Sequence, residues 1–438
     1  MYHKNFSIMD ASPIIFGNCS KFYLYILGAF FFEFFSDLII SFKDIKSDSK
    51  INIFGFKTVL KDHKMIKFFY KYLGMMIFGI LFFFIEKSKM SDGAKKKESF
   101  NPKNGENKIN KNAFKELLII GIVFSSQAII RKLLSILGFS KFDYWVFNII
   151  FITIFMKFIF KKNGYKHQKF SLIFIFMLNF SLLLWANLKN SHKDINDDSK
   201  KINGFEYINQ VLGSPFYSIL IYLVYILLSA GTSYSRVLSK QIMEFKYQSK
   251  YKIIYIIGIF GVVFILITLI FTSIFKCGGN IKKICPNEHF DSLANYFSEL
   301  KESFSDNKIP FFSEIFLINP LFLFVSFIQF TFEYHIIFYL NPNFILISDS
   351  LYFATQSLFQ FIFDFGNIES DFYIDFIVEI ITLLVYCIYL EIIEIRCFEL
   401  NRNTRKSIIK RGSDFTDSED YMIEIGDYYI NDYNISDK

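Results

Sequence analysis

Residues 251–275 read YKIIYIIGIFGVVFILITLIFTSIF, and this stretch decides the fold class of the chain. Lys252 is the one charged residue in it. The hydrocarbon core of a bilayer is about 30 Å thick, and a helix rises about 1.5 Å per residue, so an apolar run of this length is what a membrane-spanning helix requires. We therefore predict a transmembrane helix here.

Apolar runs of similar length recur along the whole chain of 438 residues. The composition is 53% hydrophobic and 20% aromatic, with 60 Phe, and the mean hydropathy is +0.33. Soluble domains contain roughly 45–50% apolar residues and do not usually gather them into such runs. The pattern predicts an all-α, multi-pass membrane protein with ten transmembrane helices, at about 20–42, 68–86, 116–138, 143–161, 168–188, 215–238, 251–275, 318–339, 343–364 and 372–396.

The ten predicted spans divide into two halves of five. Only residues 138–141 join the third span to the fourth, and only residues 341–342 join the eighth to the ninth, so both pairs are predicted to be tight helical hairpins. The predicted organisation is a first half at 1–188 with a disordered cytoplasmic linker at 88–112, an inter-repeat loop at 189–214, a second half at 215–396 and a cytoplasmic tail at 397–438.

The distribution of lysine predicts the topology. Loops 87–115, 161–169 and 236–252 are rich in Lys, and the positive-inside rule therefore places them and both termini in the cytoplasm. Loop 43–67 is also rich in Lys and would lie outside, but the other loops outweigh it. An even number of spans agrees with termini on one side. The expected location is an endomembrane (Golgi, endoplasmic reticulum or vacuole) or the plasma membrane.

The charge pattern and the motifs argue against several functional classes. The net charge of +7 is spread over many short loops, so no nucleic acid partner is expected. The five cysteines form no metal or redox pattern, although Cys277 and Cys285 are close enough in sequence for a disulfide if their loop is lumenal. Glu333 and His335 are two residues apart and do not match the zinc-protease pattern. No enzymatic activity, metal or cofactor is expected.

Two pairs of candidate site residues lie four apart within predicted spans, which places each pair on one helix face. Glu33 and Asp37 form the first pair, and carboxylates at this depth are expected to face the bundle interior or the water interface. Gln127 and Arg131 form the second. Arg131 either binds an anionic substrate such as a phosphate, pairs with Glu33 or Asp349, or extends toward lipid headgroups. In the fourth span, Asn148 is a candidate for lining the interior.

Asp349 raises the sharpest question. It follows Ser348 in the stretch LNPNFILISDSLYF, residues 340–353, which is otherwise apolar. An aspartate in a bilayer costs several kcal/mol unless it faces water, protein or a partner. Asp349 therefore lines a cavity, pairs with Arg131 or Lys132, or lies near the interface because Pro342 opens the ninth span.

Two stretches carry a family resemblance. Residues 239–266, SKQIMEFKYQSKYKIIYIIGIFGVVFIL, are similar to the passage from the sixth to the seventh span in the drug/metabolite transporter superfamily, with Gly258 and Gly261 as its Gly-x-x-Gly. The polar patch that ends at Ser350 is similar to the family's ninth span. Within the superfamily, the chain most resembles the solute-carrier-35-like branch, which is related to nucleotide-sugar and triose-phosphate translocators.

The resemblance implies two inverted five-helix repeats around a central cavity. It implies a transporter that moves a small polar metabolite, such as a nucleotide sugar or a phosphorylated metabolite, by alternating access. The expected partners are the lipid bilayer, the small-molecule substrate and, as an option, a second copy of the chain in a homodimer. The alternative is a non-transporting scaffold or receptor that keeps the fold. The predicted substrate-binding residues are Asp349, Ser348, Arg131, Gln127, Glu33 and Asn148.

Overall fold

The fold is helical throughout the part of the chain that the structure describes, apart from one short β pairing. The computed structural model describes residues 19–40, 42–43, 50–51, 60, 63–89, 111–136, 146–160, 166–191, 215–274, 293–306, 312, 314–363, 370–390 and 392–393. Strands β1 (Phe42–Lys43) and β2 (Lys50–Ile51) pair antiparallel, with Phe42 opposite Ile51.

A helix lies at each of the ten predicted spans. Their bounds are α1 Cys19–Ile40, α2 Lys64–Lys89, α3 Lys111–Ile136, α4 Val146–Phe160, α5 Lys166–Ser191, α6 Pro215–Phe245, α7 Lys250–Ile274, α9 Asn319–Tyr339, α10 Ile345–Phe363 and α11 Ser370–Tyr389. A further helix, α8 (Leu293–Asp306), lies between α7 and α9 and was not predicted. A π-helical turn, Glu314–Ile318, leads into α9, and a 3-10 turn, Pro342–Phe344, leads into α10.

Within the described residues, four helical segments are long and apolar enough to cross a membrane, which is consistent with the prediction of a helical membrane protein. They are Met65–Lys89, Ala113–Leu134, Lys250–Ile274 and Glu314–Tyr339. The side chains agree, because large apolar groups such as Phe84, Phe158 and Ile274 are exposed while Gln329 and Lys240 are buried. Such an arrangement suits a bundle whose outer surface meets lipid and whose polar groups find partners inside.

Glycines allow the central helices to touch backbone to backbone. A Cβ atom added at Gly258 of α7 would lie 2.5 Å from the backbone nitrogen of Met76 in α2, and one at Gly74 of α2 would lie 2.3 Å from the carbonyl oxygen of Leu323 in α9. Small residues at helix crossings are the usual means of close packing in membranes. The hydroxyl of Ser125 in α3 adds a hydrogen bond of 3.0 Å to the carbonyl oxygen of Ile257 in α7.

Each helix of the first half packs against helices of the second half. Helix α1 contacts α9 and α10, α2 contacts α7 and α9, α3 contacts α6 and α7, α4 contacts α6, and α5 contacts α11. The larger core cluster of apolar side chains draws on α1, α2, α3, α7 and α9. The two predicted halves are therefore interleaved, and the space between them is lined by helices from both.

The hairpin between α9 and α10 is as tight as the sequence predicts. Helix α9 ends at Tyr339, and the 3-10 turn begins at Pro342. Asn341 caps this turn, because its side-chain oxygen accepts a hydrogen bond of 3.1 Å from the backbone nitrogen of Asn343. The predicted hairpin at 138–141, most of the linker at 88–112, Cys277, Cys285 and the tail at 397–438 lie outside the described residues.

The close approach of α7 to α2 gives a stability prediction. Gly258→Ala gains up to about 1 kcal/mol in helix propensity. Its methyl group, however, would lie 2.5 Å from the backbone nitrogen of Met76, and a backbone atom cannot move away as a flexible side chain can. We expect a net destabilisation of about 1–3 kcal/mol from this overpacking. The measurement is the thermal unfolding of the purified protein in detergent.

Gly231→Ala is the matched control, because the nearest atom is the end of the Gln127 side chain at 3.1 Å, which can shift. A melting temperature of Gly258→Ala equal to that of Gly231→Ala would contradict the backbone contact.

Candidate functional site

Charged side chains from both halves lie together among the helices, and they are buried or partly buried. We call this set the central cluster, and it contains four acids and four bases. Its members are Glu33 and Asp37 of α1, Lys67 and Lys71 of α2, Arg131 of α3, Arg236 of α6, Glu333 of α9 and Asp349 of α10. Because isolated charges are costly at membrane depth, mutual neutralisation is the condition under which such a set can exist.

The acids and bases of the central cluster form a connected network. Glu33 interacts electrostatically with Lys71 and with the carboxylates of Asp349 and Glu333. Glu333 in turn interacts with Arg236 and Lys71. The ammonium group of Lys71 also lies 4.9 Å from the ring centroid of Phe330, a cation–π contact. The network therefore links α1, α2, α6, α9 and α10.

Asp349 forms an ion pair with Arg236. One carboxylate oxygen of Asp349 lies 3.5 Å from Nη2 of Arg236, and the two side chains are only 16% and 10% exposed. The sequence offered Arg131 and Lys132 as partners. Arg131 interacts with Asp349 at longer range, and the ammonium group of Lys132 lies over the ring of Phe68 at 5.8 Å.

Gln127 and Arg131 face α6 together, as their spacing predicts. The hydroxyl of Thr232 donates a hydrogen bond of 2.7 Å to Oε1 of Gln127. The guanidinium of Arg131 donates to the carbonyl oxygen of Leu228 at 3.0 Å and also to the hydroxyl of Thr232. The guanidinium is therefore turned inward to α6, which is not the geometry of a side chain that reaches for headgroups.

Asn148 is buried and joins α4 to α6. Its side-chain oxygen accepts a hydrogen bond of 2.7 Å from the hydroxyl of Ser229, and its carbonyl oxygen accepts one of 3.2 Å from Ser233. Ser348 is buried beside Asp349 in α10. The structure thus brings Asp349, Glu33 and Arg131 into one electrostatic network, with Gln127 next to Arg131, whereas Asn148 contacts the neighbouring face of α6.

Glu33 and Asp37 have different surroundings although they share a helix face. Nζ of Lys67 lies 2.6 Å from one oxygen of Asp37, and the hydroxyl of Tyr352 donates to the other. Asp37 therefore ties α1 to α2 and α10. Glu33, one turn away, interacts electrostatically with the carboxylates of Asp349 and Glu333.

Lys240 of α6 makes a second set of polar contacts between helices. Its buried ammonium group lies 2.7 Å from a carboxylate oxygen of Glu244 and donates to the carbonyl oxygen of Leu340 at 3.0 Å. It thereby binds α6 to the end of α9. Beyond it, Nζ of Lys246 lies 2.5 Å from a carboxylate oxygen of Glu116 in α3.

Arg236, Lys71 and Glu333 are not among the site residues that the sequence predicts. Arg236 lies among small residues of α6 that favour a packing role, and Lys71 lies near the start of α2, where lysine usually meets water. A short internal repeat would have found Arg236. Residues 28–37 read GAFFFEFFSD and residues 231–240 read GTSYSRVLSK. In both stretches, a glycine is followed five residues later by a charged residue and then, three residues further on, by a serine next to a second charged residue.

No protein-family model matches the sequence, and a search of curated proteins finds no match either. Within the described residues, no group of three or more His, Cys, Asp or Glu side chains is arranged to hold a metal ion.

The Arg236–Asp349 pair gives a prediction for single and double variants. Arg236→Gln and Asp349→Asn each leave one buried charge without its partner, and breaking a buried pair costs about 3–5 kcal/mol. We expect both single variants to be depleted from membranes and to unfold at lower temperature. The double variant, which leaves no stranded charge, should recover much of the loss.

Lys169→Gln serves as the control, because Lys169 is exposed near the start of α5. Single variants as abundant and as stable as the wild type would show that the pair is not buried from water.

Proposed function

We propose that this chain is a multi-pass membrane transporter that moves a small polar metabolite by alternating access. The observation that carries the proposal is the central cluster, in which eight ionisable side chains from six helices meet inside the bundle. Ionisable groups within a membrane are expensive and by default mark a substrate or ion pathway. A purely structural core would be served at lower cost by apolar side chains.

The helix contacts support an arrangement as two inverted five-helix repeats. We pair α1 with α6, α2 with α7, α3 with α9, α4 with α10 and α5 with α11. When each helix is replaced by its partner in this pairing, observed contacts are converted into other observed contacts. The contact of α1 with α9 becomes that of α6 with α3, and the contact of α2 with α9 becomes that of α7 with α3. The contact of α1 with α10 becomes that of α6 with α4. The exchange also leaves the contacts of α2 with α7 and of α5 with α11 unchanged.

The repeat in sequence supports the same pairing of α1 with α6. Gly28 lies against Phe332 of α9, and Gly231 lies against Gln127 of α3, which are equivalent helices under the exchange. Five residues after these glycines come Glu33 and Arg236, and nine residues after them come Asp37 and Lys240. Equivalent positions therefore carry opposite charges, which balances the site.

An inverted repeat also suggests how access alternates. Asp37 and Lys240 occupy equivalent positions in helices that run in opposite directions through the membrane, so their ties lie toward opposite faces. The tie of Asp37 to Lys67 and Tyr352 closes one end. The tie of Lys240 to Leu340 and Glu244 closes the other. If the contacts of Asp37 break while those of Lys240 remain, or the reverse, the central cluster would open to one side of the membrane at a time.

The remaining predictions complete the proposal. Ten spans with both termini in the cytoplasm agree with the lysine-rich loops, and an endomembrane or the plasma membrane is the proposed location. The resemblance to the solute-carrier-35-like branch supports a transporter over an enzyme. The bilayer and a small-molecule substrate are the partners that this function requires, and a homodimer is compatible with it.

The test is uptake by the purified protein reconstituted in liposomes. We expect the wild type to accumulate at least one of a broad set of small polar metabolites that includes amino acids, sugar phosphates and nucleotide sugars. Glu333→Gln should lower that uptake at least tenfold while the protein remains folded, because the amide keeps the shape of the side chain but removes its charge. Lys169→Gln should transport like the wild type.

A folded wild-type protein that accumulates none of these compounds would contradict the proposal. That result would favour the alternative, a scaffold or receptor that keeps the transporter fold without transport.

A further inference from the structure

We infer that the transported metabolite is a small zwitterion, with one carboxylate and one ammonium group as in an α-amino acid. The inference rests on the proposed function and names its substrate class. In it, Arg236 binds the carboxylate, and Glu33 and Glu333 bind the ammonium group. The central cluster, and the part of α9 next to Glu333, contain buried hydrogen-bonding atoms that the described residues leave without partners.

One of these atoms is a hydrogen-bond donor, and the other two are oxygens that can accept hydrogen bonds. Nη1 of Arg236, Oε1 of Gln329 and Oγ of Ser326 are buried and have no hydrogen-bond partner among the described residues. The three residues are 9%, 1% and 0% exposed, respectively. Buried polar groups in folded proteins are nearly always paired, and an unpaired one costs about 1–3 kcal/mol. A bound ligand is one way to recover that cost.

These atoms belong to one place in the structure. Nε2 of Gln329 donates a hydrogen bond of 3.1 Å to Glu333 one turn away, and Ser326 lies a further turn back on the same face of α9. Glu333 interacts electrostatically with Arg236. Glu333 therefore has Gln329 as a hydrogen-bond partner and Arg236 as an electrostatic partner, and it connects the two side chains.

The charges around this place select the ligand. Glu33 lies among three other carboxylates, those of Asp349, Glu333 and Asp37, and its attractive partner is Lys71. An ammonium group placed there relieves repulsion among the carboxylates. A phosphate dianion or a nucleotide sugar would add to that repulsion, so the central cluster does not suit the phosphorylated substrates that the family resemblance implies.

A simple amine does not suit the central cluster either. It would leave Nη1 of Arg236 without an acceptor and would place a cation beside the guanidinium. A carboxylate supplies the acceptor, and a charge-assisted bond to Arg is among the stronger hydrogen bonds in proteins. An ammonium group on the same small molecule supplies donors for Glu333 and for Oε1 of Gln329. The zwitterion therefore satisfies both sets of atoms and leaves the net charge unchanged.

The experiment measures thermal stabilisation and liposome uptake with defined probes. Each of the twenty standard amino acids is supplied singly, together with inorganic phosphate, glucose 6-phosphate and UDP-glucose. The best amino acid is then compared with its two truncated analogues, the amine without the carboxylate and the carboxylic acid without the amine. We expect at least one amino acid to stabilise the protein and accumulate, and each analogue to bind at least tenfold more weakly.

Variants of the protein show which residues bind the carboxylate of the substrate and which bind its ammonium group. In the double variant Arg236→Gln/Asp349→Asn, the intact amino acid should lose at least tenfold in affinity, whereas binding of the amine analogue should change little. Gln329→Leu should weaken the intact amino acid and the amine analogue alike. Melting temperatures measured without ligand show that each variant is folded before its affinity is compared.

The outcomes separate this inference from the proposed function. Uptake of a phosphorylated compound without uptake of any amino acid would overturn the zwitterion and leave the transporter proposal standing. An amine analogue that binds as well as the amino acid would overturn the role of Arg236. A folded protein that takes up none of the probes would overturn both proposals.

Discussion

The ion pair between Arg236 and Asp349 is the interaction on which the interior of the bundle depends. It joins α6 to α10 within the second half at 3.5 Å, and it interacts electrostatically with Glu333 of α9 and with Arg131 of α3, which belongs to the first half. Charges at membrane depth are tolerated only as sets that neutralise one another. Each member of the central cluster is therefore constrained by the others, and the helices that carry them must meet in one arrangement.

Close packing and charge balance support each other in this fold. The glycines of α2 and α7 let backbones touch, which leaves little freedom in how the helices are placed. The fixed helices then hold Glu33 and Asp37 in different environments one turn apart. In the proposed inverted repeat, α6 presents bases at the positions where α1 presents acids. A neutral but highly polar interior results, and this suits a neutral but highly polar substrate.

The positions of the helices could be predicted from the sequence, but the partners of the charged side chains largely could not. Apolar runs of about twenty residues define spans, and a spacing of four predicts that Gln127 and Arg131 share a face, because both depend on one helix alone. Whether Asp349 meets Arg131 or Arg236 depends on how α3, α6 and α10 cross, and no local pattern encodes that. Glu333 and Lys71 were missed because their roles exist only once α1, α2 and α9 come together.

The contact between residues 236 and 349 is the most direct test of the proposed interior. Cysteines placed at both positions in a background without other cysteines remove both charges together, so no charge is stranded. A short bifunctional thiol cross-linker, followed by mass spectrometry of the linked peptides, reports their proximity in the membrane. We predict efficient linkage of Arg236→Cys with Asp349→Cys and little linkage of Arg236→Cys with Leu358→Cys, since Leu358 is exposed further along α10. Equal linkage to both positions, or none to position 349, would contradict the ion pair between α6 and α10 and the central cluster with it.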